Sequence, residues 1–255
     1  MQLHLKINNK DISPYVLLPG DLKRVNYIGK FLNDFRIIAD NREFRIGVGT
    51  YQNRKITVCS TGIGGPSTAI AVEELINAGA KYLVRVGTCG GAWRKEITLG
   101  STVIPTAAVR DEGTTDEYIL KGFPAVANFD LVQKLVVSAQ KNSCQYFVGI
   151  NRSHDAFYGS VNSITKWGDY LLDGRWKNFD TPILSSDMEC ATLFVIASLK
   201  NVAAAAILAV NANPELLCER VLGKELVVAT EVDEGVTKNI IDKTIQVALQ
   251  ALSTI

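Results

Sequence analysis

Two periods of apolar residues alternate along this chain. Tyr15 to Leu18 form a short apolar run that stops at Pro19-Gly20-Asp21, after which Arg24, Val25, Ile28 and Phe31 recur at helical spacing. That pattern predicts strand, turn and helix, with Asp21 as the N-cap. Residues 43 to 60 alternate and break at Gln52-Asn53, which predicts a β-hairpin of EFRIGVGTY and KITVCS. A glycine-rich turn, Ser60 to Ser67, then leads into an Ala/Ile/Val/Glu helix ending near Ala78, with Pro66 placed at its start. Residues 81 to 91 are a buried-type strand closed by glycines. STVIPTAAVR predicts a strand, FDLVQKLVVSAQK a helix and QYFVGI a strand. Ser185 to Phe194 open a nearly wholly apolar helix to about Lys200, residues 202 to 210 form a last strand, and Thr230 to Leu252 an amphipathic terminal helix. Strands and helices that alternate in this way predict an α/β layered fold: a central mixed, largely parallel sheet flanked by helices in three layers. Residues 159 to 180 are the least regular and read as a loop-rich excursion near a pocket.

Composition narrows the partners rather than the fold. With 255 residues, 47% of them hydrophobic, residues 1–255 suffice for one domain with a sizeable core. The net charge is +1 with both signs scattered, so no basic stripe addresses a nucleic acid or an anionic membrane surface. No run of about eighteen apolar residues occurs, and the opening MQLHLKINNKD has no apolar signal-peptide core. The five cysteines (Cys59, Cys89, Cys144, Cys190 and Cys218) are widely spaced and form no C-x-x-C, which suggests neither a disulfide framework nor a zinc site. The expectation is a reduced, cytoplasmic protein whose partner is a small molecule.

The chemistry centres on Arg85, a guanidinium inside an apolar strand. Such a charge is costly unless an anion or a carboxylate meets it. Gly87, Gly90 and Gly91 would let a ligand approach the backbone, Thr88 adds a hydroxyl, and a planar five-donor fork beside such a turn suits phosphate. Pairing with a core carboxylate is the competing reading. Arg24 lies in the first turn of its helix, where the dipole disfavours a cation and a bound anion would explain it. The glycine-rich turn lacks the Walker lysine-serine pair and the dinucleotide fingerprint, so neither ATP nor NAD is indicated. Asp187 and Glu189 flank Met188. As a plain helix start they would be a capping acid and a solvated charge, but the apolar residues that follow leave Glu189 little solvated face, and a buried acid wants hydroxyl donors such as a sugar diol.

These pieces together resemble the nucleoside phosphorylase family, which includes uridine phosphorylase and the bacterial-type purine nucleoside phosphorylase. The motifs are PGDLKR at 19 to 24, NREF at 41 to 44, STGIGGPSTAIAVEEL at 60 to 75, RVGTCG at 85 to 90, FPAV at 123 to 126, HDAFY at 154 to 158 and DMECATLF at 187 to 194. The resemblance implies that Gly20, Arg24, Arg85 and Thr88 bind phosphate and that Arg42 reaches a neighbouring subunit's phosphate. It implies that Met188 and Glu189 hold the ribose, with Asp187 replacing a glutamate, that His4 crosses to a neighbour's ribose, and that Phe157 stacks on a base flanked by Cys89 and Gly90. It further implies homo-oligomers, hexamers with shared sites, and phosphorolysis of a nucleoside with inorganic phosphate as co-substrate and neither metal nor cofactor.

Departures from the family concern the base. Val161 and Ser163 stand where uridine enzymes carry glutamine and arginine, and Asn211-Ala212-Asn213 stands where purine enzymes carry an aspartate. Motif wording favours a uridine-type enzyme, with a purine nucleoside or methylthioadenosine phosphorylase as the alternative; a nucleoside hydrolase and a nucleoside-binding protein are further rivals. Arg85 and Glu189 are the expected catalytic groups. His154, where relatives have a small residue, is expected to join them by contacting the departing base, either as a neutral donor or protonated; turn capping is the bland alternative. Asn213 and Arg152 are weaker candidates for that role.

Overall fold

The computed structural model describes residues 1–90, 96–157, 183–211 and 234–255. Asn213, Val161 and Ser163, and the excursion at 159 to 180, lie outside the described residues.

β1 (Tyr15–Leu18) ends at Pro19-Gly20, and the extended Asp21 accepts from the Lys23 amide, so α1 (Leu22–Gly29) starts where the capping residue predicts. β3 (Phe44–Tyr51) and β4 (Arg54–Cys59) form the expected hairpin. Gln52 and Asn53 both take positive φ (47° and 64°), as a tight two-residue turn requires. Before it runs β2 (Asn33–Asn41), an edge strand not foreseen in the sequence, because two register shifts against β3 destroy its period of two. α2 (Gly65–Asn77) follows the glycine turn with proline in its first turn.

β5 (Tyr82–Cys89) and β10 (Ala203–Val210) pair in parallel, and β1 lies between β5 and β4, parallel to both. β6 (Thr102–Asp111) turns antiparallel to β10 and starts a second parallel set with β8 (Tyr146–His154) and β9 (Ile183–Asp187). The order is β2-β3-β4-β1-β5-β10-β6-β8-β9, with the short β7 (Ala125–Val126) on β6. The mixed, largely parallel sheet flanked by helices is thus as expected. α3 (Thr114–Tyr118) and α4 (Phe129–Lys141) sit between β6 and β8 in sequence, α5 (Cys190–Leu199) after β9, and α6 (Glu234–Ser253) ends the chain. One boundary differs from the sequence reading. Ser185 to Asp187 complete a strand rather than open a helix, because Ser185 and Asp187 pair with Asn151 and Ser153 of β8.

The central strands bury alternate residues on opposite faces. Val16 and Leu18 of β1 pack with Phe44, Leu75, Leu83 and Phe194 beneath α2 and α5, whereas Leu17 packs with Val25, Val84, Leu135 and Leu249 beneath α1, α4 and α6. A sheet covered on both sides needs such continuous apolar runs. The N-terminal leader joins the first core: Leu5 and Ile7 are buried, and Glu74 of α2 accepts from the amides of His4 and Leu5.

Phe194 is fully buried in that core. Replacing it with Ala should cost about 3–5 kcal/mol through lost transfer energy and an unfilled cavity. Urea unfolding measures this, and a loss below about 1 kcal/mol would show that the α2/α5 layer repacks freely.

Candidate active site

The ends of β5 and β9 are zipped together by Gly90 and Ser186, which exchange backbone hydrogen bonds of 3.0 Å in both directions. This bridge joins two strands separated in sheet order by β10, β6 and β8. It brings Arg85 against the acids that follow Ser186. Arg85 shares its face of β5 with Leu83 and Cys89, the side covered by α2 and α5. Its Nε donates to Asp187 Oδ2 at 3.0 Å and its Nη2 to Glu189 Oε2 at 2.5 Å. Gly87 makes room for this, since a Cβ there would stand 2.8 Å from the Arg85 guanidinium carbon. Burial opposes the charge on Arg85, and Glu189 and Asp187 together more than offset it, so the guanidinium titrates above its ordinary value.

The two acids are buried but differ in what remains open to a ligand. Glu189 Oε1 accepts from the Gly64 amide at 2.9 Å, and Oε2 from the Met188 amide at 3.1 Å as well as from Arg85. Three donors occupy a carboxylate that offers about four lone-pair directions. Burial pushes this carboxyl above its ordinary range, with Arg85 pulling it back and Asp187 adding to the rise. The sequence alternative of a solvated Glu189 is therefore excluded. Asp187 meets Asn151 Nδ2 and Ser153 Oγ at 2.7 Å on Oδ1, Arg85 on Oδ2, and the Cys190 amide on both, so it caps α5 as an acid at a helix start does. Met188, half-buried, reaches toward Gly64.

Arg85 keeps one whole guanidinium nitrogen unspent, because Nη1 is buried with no hydrogen-bond partner. Arg24 stands close enough for its charge to be felt. Burial lowers the Arg24 pKa most, Asp21 opposes, and the neighbouring Arg85 lowers it further. Its guanidinium makes no ion pair or hydrogen bond to a described residue. Two partly desolvated cations with open donors, beside Gly20 at the end of β1 and half-buried Thr88 at the end of β5, make a site for an anion. Arg42 stands apart, exposed on the β2–β3 turn at a φ of 56° and without an ion pair among the described residues.

Around this centre, His154 closes β8 with its imidazole buried rather than turned to solvent. Burial and then the Arg152 charge lower its pKa, against a hydrogen bond to the Ala156 backbone and the carboxylates of Asp187 and Asp111, so the neutral ring is favoured over the imidazolium. Arg152 is held by Asp111 through Nε at 2.9 Å and Nη2 at 2.5 Å. Cys89 is buried against the Ala209 carbonyl and its thiol is pushed up to about 12 by burial first, which leaves it unreactive. Phe157 is 65% exposed. His4 lies on α2, its Nδ1 2.7 Å from Glu74. The structure thus gathers Arg24, Gly20, Arg85, Thr88, Asp187, Met188 and Glu189, and sets His154 beside them. It leaves His4 and Arg42 without a contact to this group among the described residues but near each other, since Asn41 Nδ2 donates to the His4 carbonyl at 2.8 Å. Asn151, Ser153, Ser185 and Gly64 escaped the sequence reading. For Asn151, Ser153 and Ser185 the signal was polar residues two apart in the strands, and for Gly64 the glycine-rich turn itself.

A family profile described as Phosphorylase superfamily matches residues 14–249. The chain is 38% identical over 212 residues to the guanosine phosphorylase of Halorubrum lacusprofundi, covering 83% of both chains. It is 40% identical over 223 residues to the uridine phosphorylase of Thermococcus kodakarensis, covering 84% of this chain and 78% of that one. The crystal structure of uridine phosphorylase from Vibrio fischeri ES114 superposes with a TM-score of 0.85 at 34% identity, over 100% of this chain and 98% of the other.

The buried neutral His154 has a consequence for stability. An unfolded imidazole binds a proton below pH 6.5 that the folded one resists, so folding stability falls as pH drops from 6.5 toward the folded-state value and is unaffected above it. His154→Asn should flatten that decline when urea midpoints at about pH 7.5 and about pH 5.5 are compared with those of the wild type. Equal slopes would show that the imidazole titrates as freely as in an unfolded chain.

Proposed function

The chain belongs to the phosphorylase superfamily, and on that premise we propose that it cleaves a nucleoside with inorganic phosphate, giving the free base and ribose 1-phosphate. The observation that carries this reading is the pair of cations with unspent donors, Arg24 and the buried Nη1 of Arg85. A hydrolase that activates water has no use for them, and leaving buried charges unmatched is costly. Arg24, Arg85, Thr88 and the Gly20 backbone hold the phosphate. Glu189, with Met188 beside it, accepts from a sugar hydroxyl. As the C1′–N bond breaks, its electron pair goes to the base nitrogen and a phosphate oxygen bonds to C1′. The sugar passes through a cationic, oxocarbenium-like state flanked by the phosphate dianion and Glu189. His154 contacts the departing base, with Cys89, Gly90 and Phe157 around it; a neutral ring spends its one N–H on the Ala156 backbone, so donation to the base takes the imidazolium, which burial opposes. A uridine-type substrate is the first reading, and a purine nucleoside the second, supported by the similarity to a protein named guanosine phosphorylase.

The same reading makes residues 1–255 one cytoplasmic domain that works as a homo-oligomer, a hexamer with shared sites. Cys59, Cys89, Cys144 and Cys190 are free, and no described helix is long and apolar enough to cross a membrane. Glu74 takes Nδ1 of the His4 ring, which leaves Nε2 for a neighbour, and Arg42 lies on an exposed turn.

Product release should depend on phosphate across a panel of uridine, thymidine, inosine, guanosine, adenosine and methylthioadenosine; release without phosphate would make the protein a hydrolase. Arg85→Ala should raise the phosphate requirement at least about tenfold, the value of one charge-assisted contact. An unchanged requirement in a folded variant removes Arg85 from the phosphate site.

Shared sites have their own check. Hybrids of a His4→Ala/Arg42→Ala chain with a Glu189→Ala chain should recover part of the activity that each lacks alone, and hybrids that form without recovery would place all the catalytic groups in one protomer.

A further inference from the structure

The buried polar ladder behind Arg85 has a job that the substrate contacts do not cover. Asp187 has no room for a substrate hydroxyl. Its side chain is 1% exposed, and Asn151, Ser153, Arg85 and the Cys190 amide between them take every lone-pair direction it offers. Asn151 in turn is oriented by Ser185, whose hydroxyl donates to its Oδ1 at 2.8 Å and so turns Nδ2 toward Asp187. Ser153 Oγ accepts from the Ala191 amide at 2.9 Å while donating to Asp187, which locks the carboxylate to the second residue of α5. The parallel register explains why all four meet. Asn151 lies opposite Ser185 and Ser153 opposite Asp187, two steps apart, so their side chains share one face.

We propose that Asn151, Ser153 and Asp187 form a positioning relay that aims the Arg85 guanidinium at phosphate, and that Asp187 is not a sugar ligand. This inference rests on the phosphate-binding reading of Arg85. The relay fixes Nε through Asp187, and Glu189 fixes Nη2, so two of the three guanidinium nitrogens are anchored and the third, Nη1, is left for the ligand. Gly87 completes the device by leaving space for the guanidinium on the strand. The division of labour between two neighbouring acids follows: Asp187 acts on the enzyme, and Glu189, with one lone-pair direction open, acts on the substrate.

Calorimetry with inorganic phosphate, alongside steady-state kinetics on a ribonucleoside and its 2′-deoxy counterpart, tests the relay. Asp187→Asn should weaken phosphate about tenfold and Ser153→Ala about threefold, the loss of one charged and one neutral hydrogen bond. Ser153→Thr, which keeps the hydroxyl, should restore phosphate affinity to within about twofold. The preference for the ribonucleoside over the 2′-deoxynucleoside should stay unchanged in all three and shift only in Glu189→Gln. If Asp187→Asn fails to fold, the Ser153 pair decides alone. A changed sugar preference with phosphate affinity intact would make Asp187 a ribose ligand, and unchanged phosphate affinity in folded variants would reduce the relay to scaffolding. A wild-type protein that releases base without needing phosphate yet binds it overturns the phosphorylase reading and leaves the relay to be judged by calorimetry; one that does not bind phosphate overturns both.

Discussion

A guanidinium buried in the middle of a parallel sheet sets the terms for everything around it. Removing Arg85 from water costs several kcal/mol, and attraction to its partners offsets this only with good geometry and satisfied hydrogen bonds. Asp187 and Glu189 supply the geometry from a strand end and helix start four positions away in sheet order. Removing either acid would leave the guanidinium with a single carboxylate and a further N–H without its partner. The arrangement is thus a constraint on the strand order, on Gly87 and on the Gly90–Ser186 bridge at once.

The two helix starts facing Arg85 contribute in different ways. α5 begins with Glu189 as its N-cap, yet that side chain makes no capping bond to its own helix. It turns instead to Arg85 and to the Gly64 amide at the start of α2, while Asp187 takes over the capping of α5 through Cys190. Gly64 has a φ of 86°, a conformation open to glycine and strained for other residues, and this lets its amide point at Glu189. The glycine-rich turn therefore serves Glu189, the carboxylate for which we propose the sugar contact. Arg24, on α1, has no ion pair among the described residues, and that surplus charge is what favours an anion beside it.

Much of the fold could be read from residue patterns because each strand and helix announces its own period. Asp21 as a cap, Pro66 at a helix start, and the Gln52-Asn53 turn are local choices, fixed by residues within one turn of each other, and they appear where the sequence places them. The charge anomaly of Arg85 was equally plain, since an arginine among valines and leucines demands a partner wherever the strand ends up. Two readings were open for that partner, carboxylate or anion. The structure shows that the first holds for two of its nitrogens and that Nη1 has no hydrogen-bond partner, which is where we propose the second.

What the residues could not decide was which distant groups would meet. β2 was hidden because two bulges break its alternation, and the boundary at Ser185 was misplaced because pairing with Asn151 and Ser153 extends a strand into a segment whose apolar run continues as helix. Asp187 and Glu189 look equivalent along the chain, both acids beside Met188. Only the register of β8 against β9 brings Asn151 and Ser153 to Asp187 and closes it to ligands, and only the approach of α2 brings Gly64 to Glu189. Local hydrophobic period determines the elements. Hydrogen-bond saturation, which depends on strand register and helix approach across a hundred residues, determines which of two like charges is free to act.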